Sequence, residues 1–160
     1  LAYAYESAGR LDDAITLYEE TLADSARVLG DNHPQTLTSR NNLAGAYQSA
    51  GRLDQAITLY EETLANRVRV LGDDHPDTLT SRNNLAYAYQ SAGRLDEAIP
   101  LFEEVLADRV RVLGDNHPDT LTSRKVLILV YLLAGRPDDA EALFGPPSDP
   151  EGMEADHTDS

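Results

Sequence analysis

The stretch SAGRLD stands at Ser7–Asp12, again at Ser49–Asp54 and again at Ser91–Asp96, and it returns as LAGRPD at Leu133–Asp138. Each copy follows the last by 42 residues. A second phrase keeps the same step: LGDNHP around His33, LGDDHP around His75 and LGDNHP around His117. Residues 31–72 and 73–114 differ at only eight of 42 positions, so the period is not accidental. A repeat of this length belongs to stacked helical hairpins. One such unit cannot bury its own apolar face, so neighbours must share a continuous core. Arrays of this kind work through a surface.

Each unit reads as two helices. In residues 73–114 the first opens at Pro76, where a missing N–H costs nothing, and runs to about Ala92. Leu79, Leu85, Ala86 and Tyr89 give it an apolar stripe, and Gly93 supplies the positive φ that ends it. The second helix carries Leu95, Ala98, Ile99, Phe102, Val105, Leu106, Val110 and Leu113 on one face and stops at Gly114. Pro100 is expected within its first turn or so, where it forfeits little hydrogen bonding. The expected organisation is a partial unit over 1–30, full units over 31–72 and 73–114, a divergent unit over 115–144 and an acidic, disordered tail over 145–160. LAYAYESAGR at Leu1–Arg10 matches LAYAYQSAGR at Leu85–Arg94 apart from one residue. The chain therefore reads as starting in mid-helix, as a piece of a longer array.

Composition narrows the function. The chain has 160 residues, 41% of them apolar, and a formal net charge of −15. That charge argues against nucleic acid and against anionic membranes as partners. Cysteine is absent, which fits a reducing, cytoplasmic setting and leaves no thiolate for metal or catalysis. The longest apolar run, Val126–Ala134, is too short to span a bilayer. Of the 13 basic residues only Lys125 is lysine, a bias read as the mark of a GC-rich bacterial genome. Serine, histidine and acids recur with the repeat and form no singular convergent set, so no enzyme activity and no cofactor are expected. His33, His75 and His117 come one per unit, too far apart to share an ion, and are assigned a structural role in the turn rather than a metal site.

The phased pattern LG-x-x-HP-x-TL-x-SRNNLA-x-AY-x-x-AGRLD-x-AI-x-L-[YF]-EE closely resembles the 42-residue tetratricopeptide repeats of kinesin light chains and their bacterial relatives. The resemblance covers Leu1 to about Phe144. It implies an all-α, right-handed superhelical solenoid of antiparallel helix pairs, whose first helices line a concave groove. It also implies a module that binds peptides or protein segments and is not known for catalysis.

Helical geometry marks the exposed stripe of each first helix. Thr38, Asn41, Gly45 and Gln48 lie beside the packed side formed by Leu43, Ala44 and Tyr47, with Asn42 and Ser49 at the far edge. In the next unit the stripe is Thr80, Asn83, Tyr87 and Gln90, edged by Asn84 and Ser91, and the incomplete first unit offers Tyr3 and Glu6. In the related light chains the asparagines of the NNLA motif hold the backbone of an extended peptide. That resemblance carries the role onto Asn41, Asn42, Asn83 and Asn84. A carboxamide both donates and accepts, so it can pair with a peptide group in either orientation. The same amides have a second use open to them: bonding to a neighbouring unit or to each other. Gly45 reads either as drift among duplicated units or as a shaped pocket between Tyr3 and Tyr87.

The fourth unit departs from the pattern. Lys125–Val126 replaces Asn–Asn, and the stripe continues as Leu129 and Leu132. Residues 125–133 are apolar around nearly the whole helix, so Leu129, Leu132 and Leu133 are expected to form an association surface, with a homodimer through this end slightly favoured. Arg40, Arg82 and Arg124 are expected to pair within the chain, with acids such as Glu19, Glu20, Glu61 and Glu62, in preference to forming a basic ladder for an acidic peptide. The leading function is a peptide- or protein-binding module using Asn41, Asn42, Gln48, Thr80, Asn83, Asn84, Tyr87, Gln90 and Lys125. The alternative is a structural or sensing arm of a larger bacterial signalling or regulatory ATPase, packed against its own chain.

Overall fold

A computed structural model describes residues 10–144, and among these there is no strand. Seven helices succeed one another over the described residues: α1 Leu11–Leu29, α2 Pro34–Ser49, α3 Leu53–Leu71, α4 Pro76–Ser91, α5 Leu95–Leu113, α6 Pro118–Leu133 and the short α7 Pro137–Ala142. Each packs chiefly against the next in sequence, so the helix pairs stack into a solenoid. The expected partial first helix, with Tyr3 and Glu6, and the expected acidic tail over 145–160 lie outside the described residues.

The His–Pro phrase starts every full first helix. His33, His75 and His117 are N-caps with extended backbones. Each Nδ1 accepts the backbone N–H two residues on, at 3.2, 3.1 and 3.2 Å. The bond satisfies a donor that the helix itself leaves orphaned. It is a positive turn role for all three histidines.

The AGR phrase closes each first helix. Gly51 has φ +72°, its N–H bonds to Gln48 O at 3.0 Å, and Arg52 N–H reaches back to Tyr47 O at 2.8 Å. This pair of bonds is the Schellman arrangement, which needs a left-handed residue at the glycine position. The same bonds recur at Gly93 and Gly135.

That turn also brings the arginine over the tyrosine it has just bonded. The Arg52, Arg94 and Arg136 guanidinium carbons lie 4.5, 4.6 and 4.8 Å from the ring centroids of Tyr47, Tyr89 and Tyr131. From the other side, Tyr47 Oη donates to Glu19 at 2.6 Å, Tyr131 Oη donates to Glu103 at 2.5 Å, and Tyr89 Oη donates to Glu61. Each Glu–Tyr–Arg set thus ties together a second helix, the next first helix and the start of its pair. Burial, and then the glutamate bond, push the Tyr89 and Tyr131 phenols up to about 12. Tyr47 is raised too, chiefly by Glu19.

Small residues let the helices approach. Ala14, Ala44, Ala56, Ala86 and Ala98 are all fully buried, flanked by Ile15, Ile57, Ile99, Leu43 and Leu85. One expectation needs correction. Helix α5 begins at Leu95, so Pro100 is its sixth residue and lies inside it. The proline removes the interior bond that an N–H there would donate to Asp96 O. It is not confined to the first turn.

Candidate protein-interaction site

The exposed sides of the first helices α2, α4 and α6 carry the candidate residues, and the structure treats the two amide pairs differently. Between α2 and α4, Asn84 Nδ2 donates to Asn41 Oδ1 at 3.1 Å, and Gln48 Nε2 donates to Ser91 Oγ at 3.2 Å. The internal use of these amides is therefore real at this junction. Asn41 keeps its amide N–H groups and Asn84 keeps its carbonyl. Asn42 is exposed.

Between α4 and α6 the pattern breaks. Asn83 and Gln90 are the repeat counterparts of Asn41 and Gln48, but facing them Asn84 and Ser91 are replaced by Val126 and Leu133. Neither apolar side chain can accept a hydrogen bond. Asn83 and Gln90 are half-buried and have no side-chain partner among the described residues. Tyr87 stands between them in helical spacing, 36% exposed, with its ring edge-on to Phe102 at 5.1 Å. Thr80 bonds to Pro76 O at 2.9 Å. Asn83 and Thr80 also border a cavity of about 350 Å³ floored by Leu79, Val105, Val112 and Leu113. Lys125 is exposed on α6.

At Gly45, the counterpart of Tyr87, an added Cβ would lie 3.4 Å from Tyr60 Oη. The hydroxyl of buried Tyr60 approaches the space above this glycine. In the next unit Phe102 has no hydroxyl, and Tyr87 packs on it. Gly45 and Tyr60 are thus matched, as are Tyr87 and Phe102.

The arginines pair within the chain, but with other acids than expected. Arg82 is 8% exposed and meets Asp73, Glu104 and Asp108 at 3.2, 2.9 and 3.0 Å. Arg40 faces Asp31 at 3.6 Å and Arg124 faces Asp115 at 2.9 Å. Glu19 and Glu61 are held instead by Tyr47 and Tyr89. Two further clamps had no signal of their own in the pattern. Buried Arg67 donates to Asp77 O and Ser81 Oγ, both at 2.8 Å, and Arg109 reaches Asp119 O and Ser123 Oγ in the same way. Burial pushes the Arg67 guanidinium down, with Asp77 pulling it back.

A tetratricopeptide repeat model matches residues 1–67, 41–109 and 83–145 in overlapping windows. The chain belongs to the tetratricopeptide repeat family. Among solved structures, this tetratricopeptide repeat chain is similar to a kinesin light chain-like protein of Podosopora anserina built of nearly identical TPR-like repeats. That similarity is 36% identity with a TM-score of 0.83, covering 89% of this chain and 68% of that one. A variant of the same fungal protein matches at 34% identity, with the same TM-score of 0.83 and the same coverage. BtubC (BKLC) from P. vanneervenii matches at 28% identity and a TM-score of 0.79, covering 100% of this chain and 68% of that one. No curated protein matches the sequence. Tetratricopeptide repeats generally mediate protein–protein interaction. No helix among the described residues is long and apolar enough to cross a membrane.

Proposed function

We propose that this tetratricopeptide repeat chain binds an extended peptide or protein segment along the exposed sides of α2, α4 and α6, with the junction of α4 and α6 as the centre of the site. The observation that carries this reading is the contrast between the two junctions. Asn41 and Gln48 are bonded to Asn84 and Ser91 between α2 and α4, whereas their counterparts Asn83 and Gln90 stand half-buried with no side-chain partner among the described residues. Their polar atoms still reach solvent, so the peptide groups of a ligand can take the place of water there. An extended backbone offers the alternating donors and acceptors that two carboxamides in one stripe can take.

Tyr87 and Leu129 supply apolar contact beside the amides, and the free N–H groups of Asn41 and the carbonyl of Asn84 extend the track toward α2. Asn42, Gln48, Thr80 and Lys125 border it. The net charge of −15 steers a neutral or basic segment toward the surface more readily than an acidic one. The test is capture from a random peptide library by the wild-type chain and by the Asn83→Ala, Gln90→Ala double variant. Segments enriched by the first and lost by the second support the reading. Identical enrichment by both would refute it.

A further inference from the structure

Helix α6 leaves one side without a partner among the described residues. Leu127, Val130 and Tyr131 face the core, but Leu129, Leu132 and Leu133 are 52%, 53% and 58% exposed. Leu132 is the counterpart of Gln48, the residue that joins α2 to α4 through Ser91. The stack of described units therefore ends on the side of Lys125, Leu129 and Leu132, which elsewhere meets the next first helix and here is turned apolar, with Leu133 at its α4 edge. Lys125 stands on that side too. No acid occurs between Lys125 and Leu133, in a chain of net charge −15.

We propose that a second copy of this chain covers this side, with α6 packed antiparallel against α6 of the second copy about a two-fold axis near Leu129. Two molecules this acidic repel each other over most of their surface, and an acid-free apolar helix side is where they can meet. A two-fold axis makes the patch its own complement, leucine on leucine. The antiparallel register adds a charge match. With Leu129 on the axis, Lys125 of one copy lies opposite Leu133 of the other, beside the turn into the second copy's α7. That helix carries Asp138 and Glu141, both exposed and in no ion pair among the described residues. Two turns of helix on each copy cover less than the roughly 1,000 Å² that a stable interface clears, so the dimer is a weak one. The expected dissociation constant is on the order of 0.1–1 mM. This inference does not rest on peptide binding, although Leu129 and Lys125 also border the proposed peptide track, so the dimer closes the α6 end of that track and leaves Asn83 and Gln90 on α4.

Light scattering with sedimentation equilibrium on the full chain, from low micromolar to millimolar concentration, tests it. The expected result is a reversible shift from 17.5 kDa to twice that mass. Leu129→Glu with Leu132→Glu gives a monomer of unchanged helical circular dichroism. Lys125→Glu weakens the dimer about tenfold, and adding Asp138→Lys to that variant restores it. A wild type that stays monomeric throughout overturns the proposal, as does a dimer that survives the double leucine variant. Failure of Asp138→Lys to rescue Lys125→Glu overturns the antiparallel register. A monomer that dimerises only after removal of residues 145–160 assigns the surface to the chain's own tail and overturns the second copy as its occupant.

Discussion

Raising the pH tests the Glu61–Tyr89–Arg94 set, which ties three successive helices together. The Tyr89 phenol is neutral in the fold and its pKa stands at about 12, against the ordinary 10.0. An acid whose folded pKa is raised contributes its full stability below the unfolded value. That contribution falls as pH climbs through the folded value. Stability should thus hold up to pH 10 and decline between 10 and 12. Two pKa units at about 1.4 kcal/mol each bound the loss at roughly 2–3 kcal/mol for this tyrosine. Tyr131, also raised to about 12, adds a parallel loss in the same window. Tyr89→Phe keeps the ring beneath Arg94 but deletes the bond to Glu61. It should cost about 1–2 kcal/mol at pH 7 and flatten part of the alkaline decline. Urea unfolding followed by circular dichroism at pH 7, 9, 10 and 11 measures both effects. A Tyr89→Phe protein with the wild-type midpoint and the wild-type alkaline slope would refute the reasoning.

Three substitutions probe the local chemistry of the repeat. His75→Ala should lose about 1 kcal/mol with the N-cap, and His75→Asp should recover most of it in urea unfolding. Pro100→Thr restores an interior helix bond to Asp96 O and should raise stability by about 1–3 kcal/mol, read as a higher urea midpoint. Gly45→Ala should gain about 0.5–1 kcal/mol, since its new methyl meets Tyr60 Oη at an ordinary 3.4 Å; a lower thermal midpoint would show that Tyr60 cannot give way.

The helix pairs were legible because their signals are local. A His–Pro N-terminus and an AGR glycine each act within one turn, and both do in the structure what they do in peptides. What was not legible depends on how helices cross. Glu61 and Tyr89 are 28 residues apart, and only the stacking of α3 on α4 brings them together. Once Glu61 is held by the phenol, Arg82 turns to Asp73, Glu104 and Asp108, which the repeat pattern alone did not single out. Arg67 likewise gains its partners only because α3 ends against the start of α4. Pro100 was misjudged because the helix start was not fixed to the residue. For the candidate site, the stripe of residues was readable from spacing. Which amides pair with each other was not, since Asn41 and Asn83 occupy equivalent positions and differ only in what the following helix places opposite them.

The account turns on Asn83 and Gln90 of α4, which have no side-chain partner among the described residues. Fluorescence anisotropy with a library-selected, labelled segment gives its dissociation constant for the wild type and for Asn83→Ala with Gln90→Ala. Two lost hydrogen bonds of about 1 kcal/mol each predict a weakening of roughly thirtyfold, at an unchanged thermal midpoint. An equal dissociation constant for both proteins would contradict the assignment of the site.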